Sequence, residues 1–248
     1  MNICVFLSAA DLDERYTRPA REFAELIGKG GHTLVWGGSD TGLMKVVADG
    51  VQETGGRIVG ISVVFLRDWA RKDADEMVFA KDLAERKALM LGRSDAVVVM
   101  AGGLGTLDEA TEILEQRKHG LHDKPVVLLN TAGFYDGLTL QLRRMEEEGF
   151  LPVPLAELVF VTDQGADALA HLEKTNGGDC PDMSGAENDT SSRTLRAAVM
   201  VSPRGGDADA TVTDNLSPTV MVERCTSRNC TGSSCSPRPS TSPMPPRS

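Results

Sequence analysis

Along residues 1–175, short apolar runs of strand length alternate with stretches whose apolar residues recur at helical spacing. That alternation is the tightest constraint on the fold. Asn2–Ser8 is a near-continuous apolar run, as expected of a strand buried on both faces. Pro19 suits the first turn of a helix, and Ala20, Phe23, Ala24 and Ile27 follow at helical spacing before Gly30-Gly31. Thr33–Trp36, Arg57–Ser62, Met77–Phe79, Asp95–Met100, Pro125–Leu129 and Leu158–Val161 read as further strands. Helical patterns lie between them, around Leu43–Val51 and over 81–93, 106–118, 134–148 and 166–173. Residues 63–75 carry no clear signal. Repeated βα units predict a Rossmann-like, doubly wound parallel sheet with helices on both faces. Such a sheet binds ligands at the carboxyl ends of its strands.

Composition divides the chain near residue 175. From Val161 onward there is no aromatic residue, and 176–248 is rich in Ser, Thr, Pro and Gly, with no Lys and no His. That stretch lacks apolar periodicity long enough to bury a face and reads as a disordered tail. The chain is therefore one domain, 1–175, plus a tail, 176–248. The net charge of −10 falls almost wholly on the domain, which carries −9. Such a charge argues against nucleic acid and anionic membrane as partners. No apolar run reaches the ~18 residues of a membrane span, and the N-terminal run Asn2–Leu7 is too short and uncharged for a signal peptide. The expectation is a cytoplasmic protein. Cys4 reads as a buried small hydrophobe. Cys180, Cys225, Cys230 and Cys235 lie in the tail without zinc-like spacing, so reduced thiols and no metal site are expected.

Two glycine loops follow strands and open helices at the ligand-binding edge: Gly37-Gly-Ser-Asp-Thr-Gly42 and Gly102-Gly-Leu-Gly105. This arrangement presents free backbone N–H groups and a positive helix terminus to an anion. The second loop is not a P-loop, because the Lys-Ser/Thr pair is missing. Nor is it the dinucleotide fingerprint, which belongs on the first βα turn; here that turn reads Ser8-Ala-Ala-Asp11. Gly102, Gly103 and Gly105 let a backbone approach a phosphate, and Thr106 adds a hydroxyl. Thr106-Leu-Asp-Glu109 also has capping-box spacing, which gives Glu109 a purely structural alternative role.

Gly102-Gly-Leu-Gly-Thr-Leu-Asp-Glu109 resembles the PGGxGTxxE motif of the LOG ("lonely guy") family, often labelled "possible lysine decarboxylase". Glu85-Arg-Lys-Ala-Leu-Met90 resembles the family's ERKA-x-M segment, and Trp36-Gly-Gly-Ser-Asp-Thr-Gly-Leu-Met44 its YGGG-x-x-GLMG loop. His122–Asn130, Gly133-Phe-Tyr135 and Gly149-Phe-Leu151 are similar to its later blocks, so the resemblance covers about residues 1–175. Three departures stand out: Ala101 in place of Pro, Lys45 in place of Gly, and Leu83-Ala84 in place of Met-His. The family comprises cytokinin riboside 5′-monophosphate phosphoribohydrolases. The resemblance thus implies cleavage of the N-glycosidic bond of an N6-modified AMP, giving free base and ribose 5-phosphate.

On that resemblance, Glu109 and Arg86 are the catalytic pair. Glu109 stabilises an oxocarbenium-like transition state or activates water, and Arg86 orients that carboxylate or offsets phosphate charge. Gly102, Gly103, Gly105 and Thr106 hold the 5′-phosphate, with Lys87 as a further phosphate candidate. Ser8 and Gly38 line the nucleotide pocket, and Asp68 is the acidic nucleotide contact. No step requires a metal or redox cofactor. The family also implies a homodimer, for which the helix over 106–118 is a candidate surface. Trp36 and Trp69 are assigned to core packing by default, with the base pocket as the alternative.

Two other classes compete with the hydrolase: a nucleotide-binding or carrier module on the same fold, and an amino-acid decarboxylase. The latter needs a Schiff-base lysine for pyridoxal phosphate, with Lys87 or Lys45 nearest the loops. The composition break makes its own prediction. A chain ending at residue 175 is expected to keep the melting temperature and base release of the full chain; loss of either places residues 176–248 within the functional unit.

Overall fold

The structure is a computed structural model that describes residues 1–176. The tail expectation, and with it the four tail cysteines, lies outside the described residues apart from Asn176. Seven parallel strands form one sheet in the order β4-β3-β2-β1-β5-β6-β7. They are β1 (Asn2–Phe6), β2 (Thr33–Trp36), β3 (Arg57–Val63), β4 (Glu76–Ala80), β5 (Ala96–Val99), β6 (Val126–Leu129) and β7 (Phe160–Thr162). Helices join them: α1 (Glu14–Lys29), α2 (Gly42–Glu53), α3 (Leu83–Gly92), α4 (Leu104–Lys118), α5 (Asp136–Glu147), the short α6 (Leu155–Leu158) and α7 (Gly165–Asn176). The doubly wound α/β expectation holds.

The central strand shows why this sequence makes two layers of core. Along β1 and just beyond it, Ile3, Val5 and Leu7 point into a cluster with Phe23, Ile27 and Val47 of α1 and α2. Cys4 and Phe6 point the other way, toward Met90 of α3 and Ala110 and Ile113 of α4. A side-chain period of two with both faces apolar leaves no solvated side, which is why the strand reads as a continuous apolar run. Cys4 is fully buried.

The chain leaves β1 toward β2 on one side and returns to β5 on the other. The carboxyl ends of β1 and β5 thus diverge into a crevice at the topological switch point. Ser8 N–H donates to Ala101 O (3.2 Å) across it. Both glycine loops and the Ser8 turn meet there.

Three local expectations change. Pro19 lies inside α1 rather than in its first turn, because Asp13 caps the helix six residues earlier, accepting from Arg15 N–H at 3.0 Å. The stretch without a signal contains a 3-10 turn, Val64–Trp69, with no buried residue. Helix α4 starts at Leu104 with Gly103 as its cap. Thr106 is therefore the third helical residue and Glu109 the sixth, so the pair is not a capping box.

Candidate active site

A cavity of about 410 Å³ opens at the switch point. Its floor is an ion pair: Arg86 Nη1 lies 2.5 Å from Glu109 Oε1. Arg86 comes from α3, the second turn of which faces the end of β3, and its Nε donates to Ile61 O at 3.0 Å. Glu109 comes from the second turn of α4 and is 5% exposed. Burial pushes its carboxyl above the usual glutamate range, against the opposing pull of Arg86. Its Oε2 has no hydrogen-bond partner among the described residues. Below the pair, Tyr135 O–H donates to Met100 O (2.7 Å), and burial and the charge of Glu109 push its phenol well above the usual range. Cys4 is likewise held as a neutral thiol, by burial first and the charge of Glu109 second. A carboxylate over neutral groups, steadied by one guanidinium and open on one side, is placed to meet developing positive charge.

The rest of the cavity has a polar side and an apolar side. Gly103, Gly105, Thr106 and Ser8 line the polar side. The first turn of α4 carries no acidic residue, so nothing opposes its positive end there. Ser39 and Thr41 are hydrogen-bonded to each other (2.8 Å), and Thr41 donates to Ala9 O (3.2 Å), which turns the Gly37–Gly42 loop inward. Met44, Leu66, Trp69 and Leu83 make the apolar wall.

The structure thus gathers Arg86, Glu109, Gly103, Gly105, Thr106 and Ser8 around one space. Four other candidates fall outside it. Gly102 packs behind the loop: a Cβ there would lie 2.1 Å from Thr106 Oγ1, so it gives Thr106 its place. Gly38 has φ +75° and turns toward Met77 and Gly60; its neighbour Gly37 lines the cavity instead. Lys87 is held by Asp108 (2.8 Å) and by Glu112, and those hydrogen bonds raise its pKa. Asp68 borders shallower hollows with Lys72 and Ala70. The two tryptophans part company. Trp36 is fully buried, as expected by default, whereas Trp69 is 62% exposed at the cavity wall.

Sequence reasoning missed Ser62, Leu66 and Gly37. Ser62 and Leu66 fall at the end of β3 and in the stretch without periodicity. Gly37 had a readable signal in its glycine doublet, but its reason is spatial: a Cβ there would lie 2.4 Å from Arg86 Nη2. Gly37→Ala is therefore expected to keep the fold, by circular dichroism, while displacing Arg86 and lowering catalytic turnover at least tenfold. Unchanged turnover would mean that the guanidinium tolerates the crowding.

Comparisons with known proteins bear on the family and the fold. A family profile described as "possible lysine decarboxylase" matches residues 44–172. A cytokinin riboside 5′-monophosphate phosphoribohydrolase of Mycobacterium tuberculosis is 35% identical over 169 residues, spanning 67% of this chain and 90% of that protein. A probable enzyme of the same name from Arabidopsis thaliana is 34% identical over 171 residues, spanning 68% and 85%. Among solved structures, the Moco carrier protein of Chlamydomonas reinhardtii aligns with TM-score 0.56 at 24% identity, over 71% of this chain and 97% of that one. The molybdenum cofactor binding protein of Rippkaea orientalis aligns with TM-score 0.55 at 21% identity, over 70% and 95%. At such identities the structural likeness speaks to the fold, while the sequence matches settle descent: the chain belongs to the LOG, or "possible lysine decarboxylase", family.

Proposed function

We propose that the protein is a phosphoribohydrolase acting on a purine nucleoside 5′-monophosphate, with an N6-modified AMP as substrate. The single observation that carries this reading is the buried Arg86–Glu109 pair beside a glycine-capped helix N-terminus. Gly103, Gly105 and Thr106 bind the phosphate at the positive end of α4. The base packs against Trp69 and Leu66, which leaves the ribose over Glu109. As the C1′–N bond to the base breaks, positive charge grows on the ribose and the Glu109 carboxylate stabilises it. Water adds its oxygen to C1′ and keeps one hydrogen as the new C1′ hydroxyl, while its other proton passes through Glu109 to the departing base nitrogen, so ribose 5-phosphate and free base result and the carboxylate is regenerated. The names of the 34–35% identical relatives support the same reaction.

The alternatives have less support. A carrier module needs the glycine loop and not a desolvated carboxylate, whose burial is costly without a chemical use. A decarboxylase needs a neutral lysine to form a Schiff base. Lys87 is ion-paired with a raised pKa, and Lys45 is bound to Asp49 at 2.6 Å. We further read the active form as a homodimer in the cytoplasm; among the described residues no helix is long and apolar enough to cross a membrane.

Glu109→Gln keeps an acceptor for Arg86 and is expected to lower base release from N6-substituted AMP by about 10²–10⁴-fold, followed by chromatography. Full activity in this variant would sink the mechanism. The Glu109 carboxyl, followed by ¹³C NMR and assigned by its loss in the same variant, should titrate above the ordinary 4.5. The raised folded value means that its contribution to stability is complete below the unfolded pKa and is lost as pH rises through the folded one. A midpoint at or below 4.5 would show that Arg86 outweighs burial.

A further inference from the structure

The apolar wall of the cavity stands on the least supported element of the domain. The Val64–Trp69 turn contributes Leu66 and Trp69 to the wall, yet none of its residues is buried. Apolar burial therefore does not fix its position. Polar tethers do, and they converge on one side chain. Arg71, two residues beyond Trp69, is only 7% exposed. Its Nη1 donates to Asp49 Oδ1 (2.6 Å) and Asp40 Oδ1 (3.1 Å), and its Nη2 to Gln52 Oε1 (2.6 Å). Its Nη2 also donates a long hydrogen bond to Asp73 Oδ2 (3.5 Å), while its Nε, 2.9 Å from Asp73 Oδ1, is close enough for an ion pair but is not aligned for a hydrogen bond. Asp49 and Gln52 belong to α2, Asp40 to the loop that follows β2, and Asp73 to the approach to β4. The main chain follows the same route: Arg71 N–H donates to Gly38 O and Asp40 N–H to Trp69 O, both at 2.9 Å.

We propose that Arg71 is a positioning residue that ties the Val64–Trp69 turn to α2 and the Gly37–Gly42 loop, so that Trp69 and Leu66 stand as the wall for the ligand's base. This inference rests on the nucleotide reading of the cavity. Arg71 does not line the cavity and acts through the segments it ties, the turn first among them. A guanidinium suits the task because its donors fan out in a plane toward four acceptors on three segments; an ammonium has three donors at one point. Without the guanidinium, Asp40, Asp49 and Asp73 lose the cation they share; Lys45 stays on Asp49, and Lys72 borders the same hollow as Asp40 and Asp73 without an ion pair to either. Like charges at that spacing drive the loop, α2 and the turn apart. Burial works against ionisation of Asp49, but the hydrogen bonds from Lys45 and Arg71 hold its carboxyl below the usual range.

A double-mutant cycle in the full chain tests this. AMP affinity is measured by calorimetry, and KM and kcat by base release. Arg71→Met should weaken AMP binding about tenfold and raise KM in parallel, with kcat within about twofold of the wild type; Arg71→Lys should recover only part of the loss. In a Trp69→Ala background the same Arg71→Met change should cost less than about twofold, because the wall it positions is already gone. Additive effects in the cycle, an unchanged dissociation constant, or a fall in kcat at constant affinity would each overturn the proposal. Should Arg71→Met fail to fold, Gln52→Leu removes one anchor and should shift affinity by about threefold in the same direction; no shift overturns the proposal. A wild type that binds AMP but releases no base defeats the hydrolase reading alone, since the calorimetric cycle still decides the role of Arg71. A wild type that binds no AMP defeats both.

Discussion

The Arg86–Glu109 contact is the interaction on which the site depends. Neither group would be buried alone: an uncompensated charge at that depth costs about 3–5 kcal/mol relative to the pair. The pair in turn requires four elements to be in register. Helix α3 must bring Arg86 to the end of β3, where Ile61 offers its carbonyl. Helix α4 must start at Leu104, capped by Gly103, so that Glu109 falls one and a half turns in, facing back over β1 and β5. The loop after β2 must have no side chain at residue 37, where the guanidinium passes. A parallel sheet meets these conditions because its strands all end on one edge, so residues from four βα turns converge without any long excursion.

The domain's charge of −9 sets a second condition. A phosphate entering this field needs local relief. Gly103 and Gly105 supply N–H groups at the positive end of α4, but the same helix carries Asp108 and Glu112 within two turns. Lys87 lies across both. Read from the sequence it was a further phosphate candidate; in the fold it is paired with the acidic flank of the helix whose N-terminus borders the cavity. On the proposed nucleotide reading its effect on the anion is electrostatic and one step removed, which a motif alone does not distinguish from direct contact.

How much was legible follows from where the signal lies. The sheet and its flanking helices were readable because the five inner strands are buried on both faces and the longer helices on one, which imprints periods on the sequence. The glycine loops were readable by composition, and Arg86 and Glu109 by resemblance to family motifs rather than by spacing. What escaped has a common cause. The Val64–Trp69 turn buries nothing, so it has no period, and Trp69 inside it defaulted to the core. Helix α4 begins three residues earlier than a Thr106 cap would place it, because a glycine with extended backbone can cap a helix as Thr106 would have done. Gly38 and Gly37 are alike in sequence, and only the positive φ of Gly38 separates the residue that bends the loop from the one that clears the way for Arg86. Arg71 has partners 19 to 31 residues upstream, beyond the reach of any local pattern.

These facts divide the site into two parts with different physical support. The ion pair and the glycine-capped helix rest on strands with almost no exposed side chain, so their geometry is bound to the stability of the whole sheet. The apolar wall rests on a surface turn held by charged tethers. The departures from the family motif sort along this line. Ala101, in place of proline, is 3% exposed, keeps its carbonyl on Ser8 N–H and does not line the cavity. Lys45, in place of glycine, is bound to Asp49 on the face of α2. Leu83, in place of methionine, is 53% exposed and stands in the wall. Of the three, only the last lines the cavity, in its apolar wall. On the proposed nucleotide reading, substitution in the wall changes which base is accepted while Arg86 and Glu109 remain where the sheet puts them. That is the division expected of a scaffold whose reaction is fixed and whose choice of substrate is not.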